Sequence, residues 1–225
     1  MTKTYQEHWN DHFSHTVLKY PAESLVRVLN GSFPKLTFNK DYSNKIVLDM
    51  GCGSGNNLIE LHNVGFKQII AVDLTQKIID KAKENLKKWD ITNCIFKVGT
   101  NTNIPVQTHS IDFLISWGNY YYMDNEKKRI EDNLQEIHRC VKPNGIFIAM
   151  QNKYEADVYK GTTQIDSAGQ YYFNHTFNTI MRRFKNKEEL IETLSPYFKN
   201  IQIADQEFDC FGKNYGNWVI VCQNR

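Results

Sequence analysis

The eleven residues Val47-Leu48-Asp49-Met50-Gly51-Cys52-Gly53-Ser54-Gly55-Asn56-Asn57 constrain the fold more than any other part of the chain. An apolar, β-branched run over 45–50 stops at three closely spaced glycines, and a helix-forming stretch follows. A glycine turn between strand and helix lets the backbone approach a ligand closely and aims helix N–H groups at it. Similar short apolar runs recur at 67–73, 94–98, 111–116 and 146–150, each bounded by turn residues. Amphipathic stretches fill the gaps. Residues 75–88 place Ile78, Ile79, Ala82 and Leu86 on one helical face, and 130–141 do the same with Ile130, Leu134, Ile137 and Val141. Strand and helix alternate as in an α/β domain with a parallel sheet. Lys142-Pro143-Asn144-Gly145 closes the second helix, because proline cannot continue it and Asn-Gly accepts positive φ.

The chain divides around this core. Residues 1–43 read as mainly helical, with Leu18, Leu25, Val26 and Leu29 as apolar positions, and 44–150 are the core. Residues 151–186 are polar, aromatic and irregular; a helix over 187–194 and strands over 201–208 and 217–222 complete the domain. At 225 residues one domain is expected. The 27 Lys and Arg against 25 Asp and Glu leave a formal charge of +2, which argues against nucleic acid as the main partner. No apolar run approaches the roughly 18 residues of a membrane helix, and the N-terminal residues contain no apolar core of a signal peptide. Five cysteines, Cys52, Cys94, Cys140, Cys210 and Cys222, form no Cys-x-x-Cys pair. Neither a disulfide framework nor a metal site is expected, and a reducing cytoplasm is the simplest home.

Two details separate the glycine turn from a dinucleotide site. The third position of a Gly-x-Gly-x-x-Gly fingerprint is Asn56, and the strand closes on Asp49, which would repel a pyrophosphate. An acid beside the turn suits a cationic, amine-bearing ligand instead. From Asp49 to Gly55 the sequence resembles the first motif of the class I S-adenosylmethionine-dependent methyltransferases, an acid, one residue, then Gly-x-Gly-x-Gly. Asp73 closes the next strand twenty residues after Gly53, the place of a ribose-binding carboxylate, and Leu74 would flank the adenine. The likeness continues through Gly99-Thr100-Asn101, where Thr100 replaces the family's acid, through the strand 111–116, and through 134–145, which resembles a segment closing on Lys-Pro-Gly-Gly. It spans about residues 44–150.

The resemblance implies a Rossmann-like three-layer α/β sandwich: a seven-stranded, mostly parallel sheet with an antiparallel last strand, and an N-terminal helical lid. It implies S-adenosyl-L-methionine as cofactor, bound by Asp49, Gly51, Cys52, Gly53, Asn57, Asp73, Leu74, Thr100, Asn101 and Trp117. Family lids carry a Tyr or Trp, here Tyr5, Trp9 or Tyr20. The expected reaction is methyl transfer to an oxygen or nitrogen of a small metabolite. The loop 117–123 lacks the Asn/Asp-Pro-Pro-aromatic word of base-methylating enzymes, so base methylation is disfavoured.

Acceptor contacts are sought in Asn119, Tyr120 and Tyr171, and in Arg182 and Arg183, whose guanidinium groups suit an anionic or nucleotide-linked acceptor. His8, His12 and His15 share one helical face and, with His175, are the candidate general bases, since imidazole titrates near neutrality. The i, i+4 pair has metal-ligand spacing, but no Cys or acid completes a site. The competing readings are a non-catalytic cofactor-binding partner or sensor and an RNA methyltransferase.

Overall fold

A computed structural model describes residues 3–15 and 18–225, except the side chains of Phe208, Cys210, Asn214 and Tyr215. The elements in chain order are α1 (Tyr5–His15), α2 (Glu23–Asn30), β1 (Ile46–Met50), α3 (Asn56–Asn63), β2 (Gln68–Asp73), α4 (Gln76–Leu86), β3 (Cys94–Val98), β4 (Ile111–Trp117) and β5 (Tyr122–Met123). They continue with α5 (Ile130–Cys140), β6 (Val141–Asn152), β7 (Thr162–Gln164), β8 (Tyr171–Asn174), β9 (Thr179–Arg182), α6 (Lys187–Leu194), β10 (Phe198–Cys210) and β11 (Lys213–Asn224).

Seven strands form the main sheet in the order β10-β11-β6-β4-β1-β2-β3. β1 pairs in parallel with both β2 and β4, and only β11 runs against its neighbours β6 and β10. The strand order therefore reverses between β1 and β4, where an open α/β sheet leaves a crevice at the carboxyl ends of its strands. Successive side chains face opposite sides, so Val47 packs with α2, α3 and α4 while Leu48 packs with α5 and α6. These two cores make the three expected layers.

Local chemistry sets the helix ends. The Thr75 hydroxyl accepts from the Ile78 N–H at 3.3 Å and caps α4, and the Asn186 side chain accepts from Glu189 N–H at 2.9 Å and caps α6. Asn144 adopts φ 64°, the positive value anticipated at its turn. The four cysteines whose side chains are described, Cys52, Cys94, Cys140 and Cys222, are free; Cys210 lies outside them. Among the described residues no helix is long and apolar enough to cross a membrane.

Two regions differ from the sequence expectation. Among the described residues the N-terminal region is helical only over α1 and α2. The segment expected to be irregular, 151–186, contributes three short strands to a second antiparallel sheet, β5-β9-β8-β7. Its strands are three or four residues long, too short for a period to emerge. Tertiary contacts supply what the period lacks: Tyr172 and Met181 enter the core beside α5, and the Arg182 N–H donates to the Tyr121 carbonyl at 2.8 Å.

Candidate cofactor and acceptor site

The carboxyl ends of β1, β2, β3 and β4 surround a cavity of about 160 Å³. Its floor is built by the turns that leave those strands. Gly51 and Cys52 N–H groups both donate to the Val72 carbonyl, at 2.9 and 3.0 Å, which folds the β1 turn against β2. Gly51 sits at φ 76°, and a Cβ there would lie 2.5 Å from the Asn119 side chain. Gly53 sits at φ 52°, and its Cβ would lie 2.7 Å from the Phe13 ring. Both positions need glycine for conformation and for space.

Three carboxylates give the site its charge. Asp73 accepts from Gly53 N–H at 2.8 Å and from Leu74 N–H at 2.7 Å. Burial nevertheless pushes its carboxyl up to about 6 against those two bonds. Asp49, 1% exposed, has no hydrogen-bond partner on either oxygen among the described residues. Burial, then the neighbouring Asp73, pushes it up to about 7. Asp124 accepts from Asn101 N–H at 3.3 Å, from Thr102 N–H at 3.0 Å and from the Thr102 hydroxyl. Among the described residues lining the cavity there is no Lys, Arg or His.

Helix α1 forms the roof. Tyr5, Trp9 and Phe13 recur every four residues and line the cavity together. Trp9 stacks on Phe177 at 4.2 Å with planes 4° apart, and meets Tyr122 edge-on at 5.5 Å. The helix is tied at two places: the Thr75 hydroxyl at the start of α4 bonds the Asn10 side chain at 2.5 Å, and the Asn178 side chain in the turn between β8 and β9 donates to the Lys3 carbonyl at 3.0 Å. Burial, then Asp124, Tyr122 and Asp73, raises the Tyr5 phenol above its ordinary value.

Of the residues singled out from sequence, Gly51, Asp73, Leu74, Thr100, Asn101, Trp117, Asn119 and Trp9 line this cavity. The Asn101 amide also fixes the loop after β4, donating to the Asn119 and Tyr122 carbonyls at 3.1 and 2.9 Å. Asp49 is buried at the end of β1. Cys52, Gly53 and Asn57 are not among the lining residues: Cys52 is in the core, Gly53 supports Asp73 through its N–H, and Asn57 accepts from Ala22 N–H at 3.0 Å. Tyr20 is 75% exposed.

The acceptor candidates fare differently. Tyr120 is wholly buried against Tyr121 and Phe147, and the Tyr171 hydroxyl accepts from Ile130 N–H at 3.2 Å. Arg182 is buried, paired with Glu189 at 2.8 Å. Arg183 stacks on Tyr154 at 3.5 Å and donates to its carbonyl. None of the four lines the cavity: Tyr120 is held in the core against Phe147 of β6, and Tyr171, Arg182 and Arg183 are held by contacts on the small sheet. The histidines are absent from the lining too. His12 packs on Trp9, Phe13 and Phe177, and burial lowers its ring below the usual value. His15 is exposed, His8 half-buried, and His175 exposed and bonded to the Thr163 hydroxyl at 2.8 Å. The sequence reading missed Asp124 and Phe13. Phe13 continues the Tyr5–Trp9 stripe, a signal available beforehand; Asp124, directly after β5, reaches the site only through the pairing of that strand in the small sheet.

This donor set fits a cationic nucleoside ligand. The unpartnered Asp49 asks for a cation, and Asp73 at the mouth can accept from hydroxyl groups. Strand order and site together define a class I S-adenosylmethionine-dependent methyltransferase domain. Residues 47–145 match the family model described as "Methyltransferase domain", so the chain carries a domain of that family. Over 66% of this chain it is 28% identical to an arsenite methyltransferase of Halobacterium salinarum, of which the match covers 39%. The chain spans about two-fifths of the length of the curated relatives it matches. Among solved structures, a SAM-dependent methyltransferase from Methanosarcina mazei shares the fold with TM-score 0.63 at 19% identity, covering 86% of this chain and 98% of that one. One from Mesorhizobium loti does so with TM-score 0.61 at 14% identity, over 89% and 96%.

Proposed function

We propose that this protein transfers a methyl group from S-adenosylmethionine to a nitrogen or oxygen of a small molecule. The observation that carries the reading is the buried, unpartnered Asp49 beside Asp73 at the glycine turn. Asp49 supplies the negative charge that holds an amino group, Asp73 accepts from the ribose hydroxyls, and Leu74 and Gly99 flank the base. Bound S-adenosylmethionine supplies a methyl group already activated on a sulfonium. The chain's own tasks are to align the acceptor, exclude water and take up a proton. Tyr5, Trp9 and Phe13 exclude water as a closed roof.

At about 160 Å³ the cavity is below the roughly 300–1,000 Å³ of ordinary ligand sites, and α1 is the element whose displacement would enlarge it. The reading carries with it a cytoplasmic protein with no nucleic-acid partner, supported by the near-zero net charge. An anionic acceptor has no basic partner among the described lining residues, since Arg182 and Arg183 are held elsewhere. Calorimetric titration with S-adenosylmethionine and S-adenosylhomocysteine is the test. Micromolar binding of both is expected, and folded protein that binds neither overturns the reading.

A further inference from the structure

The cofactor reading uses Asp49 and Asp73 and leaves Asp124 without a task. This third carboxylate lies on the same cavity, directly after β5, and its three bonds, one on Oδ1 and two on Oδ2, leave acceptor capacity on Oδ1. The same cavity has aromatic walls: Tyr5 and Trp9 from the roof, Trp117 from the end of β4. Tyr5 and Asp124 line the same cavity, and burial, then the Asp124 carboxylate, raises the Tyr5 phenol.

A bound sulfonium cofactor carries one net positive charge, so three carboxylates leave the site negative even when it is loaded. Asp49 and Asp73 are taken up by the cofactor in the reading above, which leaves Asp124 as the lining carboxylate without a cationic partner among the described residues. With no base of the histidine type on the lining, a hydroxyl acceptor would lack help in losing its proton, whereas an amine needs none once neutral.

We propose that the acceptor is a small amine, drawn in as its ammonium form by Asp124 and the aromatic walls that Tyr5 contributes. This rests on the methyltransferase reading above. Aromatic rings with a carboxylate are a cation-recognising combination. The ammonium releases one proton to solvent before transfer, and the lone pair of the neutral amine forms the new bond to the methyl carbon. The carbon–sulfur bonding pair stays on sulfur, leaving a neutral thioether and an N-methylated ammonium product.

The test uses the full chain saturated with S-adenosylhomocysteine and three small probes of similar shape: tetramethylammonium, tert-butanol and pivalate. Tryptophan fluorescence is read against sodium chloride at matched ionic strength. Tetramethylammonium should give a saturable, millimolar response and the other two none. Asp124→Asn should weaken it about fivefold while keeping S-adenosylhomocysteine affinity within about twofold. Should Asp124→Asn fail to fold, Tyr5→Leu reports on the same site, with about threefold weakening expected. Pivalate or tert-butanol binding as well as the cation, no cation response in protein that holds S-adenosylhomocysteine, or an unchanged folded variant overturns the amine assignment alone. Loss of S-adenosylhomocysteine binding by the unaltered protein would strike the methyltransferase reading first.

Discussion

The floor and the roof of the cavity are built by different means. The floor is local: Asp49, Gly51, Gly53 and Asp73 leave adjacent parallel strands, and their backbone bonds to one another hold the turn in place. The roof is assembled from afar, with α1 clamped between Thr75 at the start of α4 and Phe177 and Asn178 in the turn between β8 and β9. The difference teaches that ligand charge is fixed by a rigid frame, whereas access is governed by a helix resting on aromatic contacts and a few hydrogen bonds.

The largest expected effect is on the floor. Asp73→Ala removes a carboxylate that accepts two backbone bonds and leaves Gly53 N–H unpaired. S-adenosylhomocysteine affinity should fall by about 1.5–3 kcal/mol, roughly tenfold to a hundredfold, by calorimetry. An unchanged affinity would break the division between floor and roof.

Asp49 sharpens the same division through pH. Its folded carboxyl titrates near 7, well above an unfolded aspartate. The ligand-free protein therefore loses stability as pH rises from about 4 through about 7, because the charged form is buried without a partner. Asp49→Asn removes that loss but keeps an unsatisfied amide. Ligand-free protein at pH 8 should gain on the order of 1–2 kcal/mol, roughly 3–6 °C in Tm, with no gain at pH 4, by thermal unfolding. The unaltered protein should bind S-adenosylmethionine more tightly as pH rises through 6 to 7, and the variant should lose most of that dependence.

The roof should respond in rate rather than in recognition. Phe177→Ala removes the stack on Trp9, worth about 0.5–1.5 kcal/mol, and should speed S-adenosylhomocysteine release two- to tenfold in stopped-flow displacement. The smallest effect is at His175, exposed and bonded to Thr163: His175→Ala should leave ligand affinity and turnover within about twofold. A large loss there would restore the histidine as a base.

Much of the floor was legible because it depends on short spacings. An acid, a glycine turn and a second acid at the next strand end carry their geometry with them once the strands pair in parallel. The roof was legible only as a helix. On α1 the stripe of His8, His12 and His15 and the stripe of Tyr5, Trp9 and Phe13 have the same helical period, and nothing local says which one faces the sheet. The structure turns the aromatic stripe inward, where burial gains most. The arginine pair was ambiguous for a related reason: a charge run reads as surface or ligand grip until its partners are known. Glu189 on α6 and the Tyr154 ring, brought close by the small sheet, are those partners.

By itself the sequence determined the α/β alternation, the carboxylates Asp49 and Asp73 and the glycine turn between strand and helix, since each is decided by residues close together in the chain. Only the tertiary structure decided that 151–186 contributes three strands to a second sheet, that α1 closes the cavity with its aromatic face, and that Asp124 joins the site. Those outcomes depend on packing between segments distant in sequence, where the free energy of burial selects among faces and partners that local pattern leaves equivalent.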